Sequence, residues 1–80
     1  MSIPLTPPGR RTSQIVNIEN DVDGNPLYVG WAAPGSTDSD ASWLIIQIGY
    51  SGGYVVSVRF AEGEAEYRHV WDDRASLSYS

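Results

Sequence analysis

The chain has no cysteine, no lysine and a single histidine, His69. Without cysteine no disulfide braces the fold, and a zinc site would need one imidazole plus carboxylates, a poor ligand set. Without lysine, every positive charge is an arginine: Arg10, Arg11, Arg59, Arg68 and Arg74. Arginine suits fixed carboxylate pairing and interfaces better than lysine does. The net charge is −5, which argues against nucleic acid or an anionic membrane as partner. No apolar run approaches the about 20 residues of a membrane-spanning helix. The N-terminus lacks the charged-then-apolar order of a signal peptide. At 80 residues the chain is one domain, and such a domain buries only about 60–65% of the surface its unfolded form exposes. With no disulfide and a poor metal set, packing against other subunits is the remaining supplement to its small core.

Helical periodicity of useful length is also missing, and the pattern that is present is alternation. Residues 1–14, "MSIPLTPPGRRTSQ", read as an extended or flexible arm, because three prolines and a glycine rule out regular helix or central strand. Residues 15–80 form the β-domain. "IVNIE", 15–19, is a candidate first strand. "DGNP" at 23–26 is a turn signal. "LYVGWAA", 27–33, places Leu27, Val29 and Trp31 on one face, with Gly30 marking a bulge or a close backbone approach. "PGSTDSD", 34–40, is a polar loop.

The strongest signal is a hairpin of "WLIIQIGY", 43–50, and "YVVSVRF", 54–60, around Ser51-Gly52-Gly53. A three-residue loop pairs Tyr50 with Tyr54, Ile48 with Val56, Ile46 with Val58 and Leu44 with Phe60, which keeps one face wholly apolar. The opposite face then carries Trp43, Ile45, Gln47, Ser57 and Arg59 and is half-apolar. A second tight turn at Glu62-Gly63 sets Val58 against Tyr67, Val56 against His69 and Arg59 against Glu66. "ASLSY", 75–79, alternates as a last short strand. The fold class is therefore all-β, a small antiparallel meander of about five or six strands, as a sandwich or SH3-like barrel, with an extended N-terminal arm.

Four groups invite a chemical reading. His69 is a possible general base, with Asp72 and Asp73 near it, but no nucleophile elbow such as Gly-x-Ser-x-Gly accompanies it; the reading is a structural histidine at the edge of the apolar face. Asp72 and Asp73 are adjacent, so on a strand they point apart and do not make a glycosidase pair. A turn is expected there, with one Asp capping backbone N–H groups and Arg74 paired to a carboxylate. "ENDVDGN", 19–25, places Glu19, Asp21 and Asp23 like a calcium loop, but Gly30 stands where the closing glutamate belongs. The aromatic residues suit a core or interface before a sugar platform. No catalytic residue, metal ligand or cofactor is expected. The expected interface combines Ile3, Leu5, Arg10 and Arg11 of the arm with Trp43, Ile45 and Arg59 on the less apolar face, since exposed large apolar residues mark binding surfaces.

The order "DGNPLYVGWAAPGS", "ASWLIIQIGY", "FAEG" and "VWDDRASLSY" across residues 23–79 resembles a group of very small virion proteins of tailed bacteriophages. The resemblance does not cover the arm and transfers no functional residues. It implies a non-enzymatic structural protein located in the virion. The expected role is a head decoration or cement protein, or a head–tail (neck) accessory component. Its partners would be capsid, neck or tail subunits, with further copies of itself as a homo-oligomer in the particle, and neither nucleic acid nor membrane. Tail or tail-fibre attachment and a small carbohydrate-binding module are the alternatives.

Overall fold

The computed structural model describes residues 14–80. They form an antiparallel meander: β1 (Ile15–Asn20), β2 (Pro26–Ala32), β3 (Ala41–Ser51) and β4 (Tyr54–Phe60) lie in that order in one sheet. A short β5 (His69–Val70) pairs with β3, and a 3₁₀ helix, Trp71–Ser76, follows it. The protein is all-β, as the alternating pattern and the absence of helical periodicity dictate.

The turns follow local chemistry. At the β1–β2 turn the Asp21 carboxylate accepts the N–H groups of Asp23 and Asn25, both at 2.9 Å, and Gly24 adopts φ 88°. This is the Asx geometry that competes with regular structure and closes a turn. At the β3–β4 turn Gly52 and Gly53 have φ 60° and 84°, the two left-handed residues of a two-residue hairpin.

That hairpin corrects the expected three-residue loop. Ser51 pairs with Tyr54 and Tyr50 with Val55, and then the register shifts by one. Beyond the shift Gly49 faces Ser57, Ile48 faces Val58, Gln47 faces Arg59 and Ile46 faces Phe60. A bulge at Val56 thus adds a residue to β4, so the expected pairs Ile48–Val56, Ile46–Val58 and Leu44–Phe60 do not form and each paired β3 residue beyond it meets a partner two positions further along. The two glycines favour the tight turn, and the bulge restores the match of apolar residues across the ladder. Gly49 serves this fit, because a Cβ there would lie 2.4 Å from the Ser57 hydroxyl.

The chain after β4 also departs from expectation. Glu62 and Gly63 do turn, with φ 54° and 67°, and the Glu64 N–H donates to the Ala61 carbonyl. The chain does not return along β4, so the pairs Val58–Tyr67, Val56–His69 and Arg59–Glu66 do not form. The C-terminus takes the start of that edge: Ser80 and Phe60 exchange backbone hydrogen bonds, and the Glu62 N–H donates to the Ser78 carbonyl. β5 instead joins the free end of the long β3, setting His69 opposite Trp43 and Val70 opposite Ala41. The stretch 75–79, expected as a strand, begins in the 3₁₀ helix and makes a single bridge, Tyr79 to Ala61.

The core lies on one side of the sheet. It comprises Ala32, Trp43, Ile45, Ala61 and Trp71, with Ile15, Tyr28, Leu77 and Tyr79 packed against it. Trp43 and Trp71 meet with ring centroids 5.8 Å apart in a tilted arrangement, a favourable aromatic geometry. The buried Trp43 indole N–H donates to the Thr37 carbonyl at 2.9 Å, which satisfies its one polar atom.

Gly30 makes this packing possible. A Cβ at position 30 would lie 2.6 and 2.8 Å from the Trp71 ring and 3.1 Å from the Trp43 ring. The glycine is the close approach that its place in the strand suggested.

Candidate functional site

Alternate residues of the same strands build the other face, and no element among the described residues lies over it. Val16 and Ile18 come from β1, Trp31 from β2, Leu44, Ile46 and Ile48 from β3, and Val58 and Phe60 from β4. Val16, Ile18 and Val58 are 47%, 55% and 54% exposed. Towards the hairpin tip Tyr54, Val55 and Val56 are exposed as well. None of these side chains is charged. Such a contiguous uncharged surface is what a binding partner covers.

Within this face lies a groove of about 340 Å³, floored by Trp31, Leu44, Ile46, Val58 and Phe60 and bounded by Gln14 and Tyr67. A cavity of about 610 Å³, lined by Gln14, Ala33, Ser42 and Tyr67, adjoins it. The Ser42 hydroxyl is shielded from solvent and has no hydrogen-bond partner among the described residues.

The second exposed feature is the outer edge of β4. The C-terminus takes it only at Phe60, and the edge from Tyr54 to Arg59 has no strand partner among the described residues. Edges with unpaired backbone groups are templates for further pairing.

The expected interface residues are distributed differently. Trp43 and Ile45 are fully buried, so they form the core and cannot make an exposed contact. Arg59 stands on the side of the sheet they define, opposite Gln47, and is exposed. Ile3, Leu5, Arg10 and Arg11 lie outside the described residues. Because Trp43 and Trp71 cover one another, neither offers a ring face to a sugar. The open face was present in the sequence as the wholly apolar set of the hairpin, and its exposure is what the alternation alone did not reveal.

The charged C-terminal stretch is a brace. Arg74 Nε donates to Glu19 Oε1 at 2.7 Å, and the guanidinium lies 4.6 Å from the Trp71 ring centroid. The ion pair ties the 3₁₀ helix to β1, and the cation–π contact holds Arg74 against the ring within the helix itself. Arg74 therefore meets a carboxylate, as expected. The expected Asp cap is absent: Val70 caps the helix with no side-chain bond. The Asp72 N–H donates to the Asp38 carbonyl, and the Asp38 carboxylate accepts the Asn17 amide at 2.8 Å. Asp38, exposed in the polar loop 34–40, thus links β1 to the 3₁₀ helix.

His69 is 6% exposed, and its Nε2 makes no hydrogen bond among the described residues. The nearest carboxylate oxygen, Glu64 Oε1, is 3.7 Å away and is engaged by Arg68. Among the described residues no group of three His, Asp or Glu side chains converges on one point.

The Tyr79 phenol has a displaced titration. Burial pushes the Tyr79 phenol up to about 12, the nearby Tyr28 adds to this and Arg74 opposes it. Tyr79 donates its O–H to the Arg74 carbonyl at 2.7 Å, so it too acts as a brace.

Comparison with known proteins leaves the fold and surface to speak for themselves: no family model, no curated protein and no solved structure matches the chain.

Proposed function

We propose that this protein is a non-enzymatic assembly module of a tailed-phage virion. In this reading it is a head decoration or neck accessory component that binds other virion subunits. The phage setting rests on the sequence resemblance across residues 23–79. The assembly role rests on one observation, the uncharged apolar surface that continues from the open face to the β4 edge at Tyr54, Val55 and Val56. Many copies on a lattice or ring supply the buried surface that so small a domain lacks. Edge pairing supplies backbone hydrogen bonds, and the alternate apolar side chains supply register. The interface is thus reassigned from the Trp43 side, which is core, to the hairpin strand β4.

The test is particle composition. Val55→Thr with Val56→Thr keeps β-branched side chains and should leave the melting temperature within a few degrees of wild type. It should deplete the protein from purified particles. Incorporation of the folded double variant at wild-type copy number would remove β4 from the interface. Absence of the wild-type protein from particles would remove the virion reading altogether.

A further inference from the structure

We propose that the groove over Trp31, Leu44, Ile46, Val58 and Phe60 is occupied by residues 1–13 of the same chain. This inference concerns the free protein and does not depend on the virion reading.

Four observations converge. The first is position: Gln14, the residue at which the described chain starts, lines both the groove and the cavity beside it. The described chain therefore begins at the rim of the groove. The second is reach. The stretch from Leu5 to Gln14 spans up to about 30 Å when extended, whereas β1 to β4 is about 14 Å at ordinary strand spacing.

The third is chemistry. Pro4, Pro7 and Pro8 punctuate the segment, and Ile3 and Leu5 alternate within it. Proline-rich segments dock in aromatic-lined grooves because their extended form loses little entropy on binding. This groove presents Trp31, Phe60 and Tyr67. The exposed Glu66, next to Tyr67 in the chain, complements Arg10 and Arg11 of the segment. The fourth is the Ser42 hydroxyl, shielded yet unpartnered in the adjoining cavity. A backbone group of a docked chain would satisfy it, and an orphaned buried hydroxyl calls for such a partner.

Trp31 makes the test direct. Trp43 and Trp71 are buried, so a change in acrylamide quenching or emission wavelength reports Trp31. The full-length variant Ile3→Ser with Leu5→Ser should show a red-shifted emission and stronger quenching than wild type. Its far-UV spectrum should be unchanged. A chain of residues 14–80, if it folds, should show the same changes, and a synthetic peptide of residues 1–13 should reverse them. Unchanged quenching in the double variant would overturn the proposal. So would wild-type shielding that disappears on dilution, which would assign the groove to the segment of a second copy.

Discussion

The two faces of the β1–β4 sheet are made by the same strands and differ only by one residue of phase. One buries Trp43 and Ile45 completely; the other leaves Val16, Ile18 and Val58 about half exposed. The open face carries more aliphatic side chains, so apolar content does not decide which side becomes the core. Space does. The covered face has Gly30 and Ala32 on β2 and Ala61 just beyond β4. These small residues leave room for the Trp71 ring to descend, and the 3₁₀ helix and C-terminus follow it. The open face is built of Val, Ile, Leu, Trp and Phe at every central position; its groove is floored by these large side chains, with no glycine beneath to admit a ring as Gly30 admits Trp71. Interiors are packed to the density of organic crystals, so a lid goes where its bulkiest group fits.

The contrast breaks most readily at its centre. Trp71→Ala removes the ring that seals the covered face and should cost about 3–5 kcal/mol. A domain of this length holds about 4–12 kcal/mol in all. Denaturant unfolding should show a large fall in midpoint, with unfolding before any titration for the least stable outcome. A cost below about 1 kcal/mol would mean that the two faces are equally open.

Gly30→Ala comes next. Its Cβ meets the rigid Trp71 ring at under 3 Å and the Trp43 ring at 3.1 Å, and overpacking of this kind costs about 1–3 kcal/mol. In the Trp71→Ala background the same change should cost much less, because the clashing ring is gone. That double-mutant cycle measures the contact directly. Additive costs would place the strain elsewhere.

What the sequence disclosed follows from the range of each signal. Period-two alternation is local, and it located β2, β3 and β4 to within two residues at each end. Turn chemistry is local too: Gly52-Gly53 and Asp21 to Gly24 both turn. The hairpin register was misread because Val56 bulges: apolar matching is satisfied both by the expected pairing of Ile48 with Val56 and by the observed pairing of Ile48 with Val58, two residues further along β4. The pairing of β5 with β3 was hidden because it depends on the C-terminus winning the edge at Phe60, a competition between segments far apart in sequence. The choice of face was hidden for a related reason. Gly30 signalled close approach, but nothing adjacent to it in the chain names Trp71 as the group that approaches. The Arg74 pairing was legible as a type of contact, while its partner Glu19 stands at the opposite end of the domain.

Alkali sharpens the comparison from the covered side. The Tyr79 phenol is pushed up to about 12 from the ordinary 10.0. The unfolded chain therefore loses this proton first. Stability that Tyr79 contributes is present below about pH 10 and declines as pH rises towards 12, where the folded state also ionises. Chemical unfolding measured between pH 9 and pH 12, a range chosen to bracket ordinary tyrosine titration, should give a steeper fall for wild type than for Tyr79→Phe. Equal slopes would mean that Tyr79 ionises alike in both states and is no part of the seal.

The smallest effect is expected on the open side. Ile18 is 55% exposed on β1 and faces Val29 across the ladder, outside the groove beside Gln14. Ile18→Thr keeps the β-branched shape that a strand favours and removes apolar surface that water already reaches in the free chain. Its cost should stay within about 0.5 kcal/mol, the range of ordinary surface substitutions. Gly30, a few ångströms away through the sheet, should cost several times more for the addition of a single methyl group. If Ile18→Thr instead destabilises the free monomer as much as Gly30→Ala does, β1 is covered on both sides. The asymmetry between the faces would then end at β2, and the surface left for partners would shrink to the β4 edge and the hairpin tip.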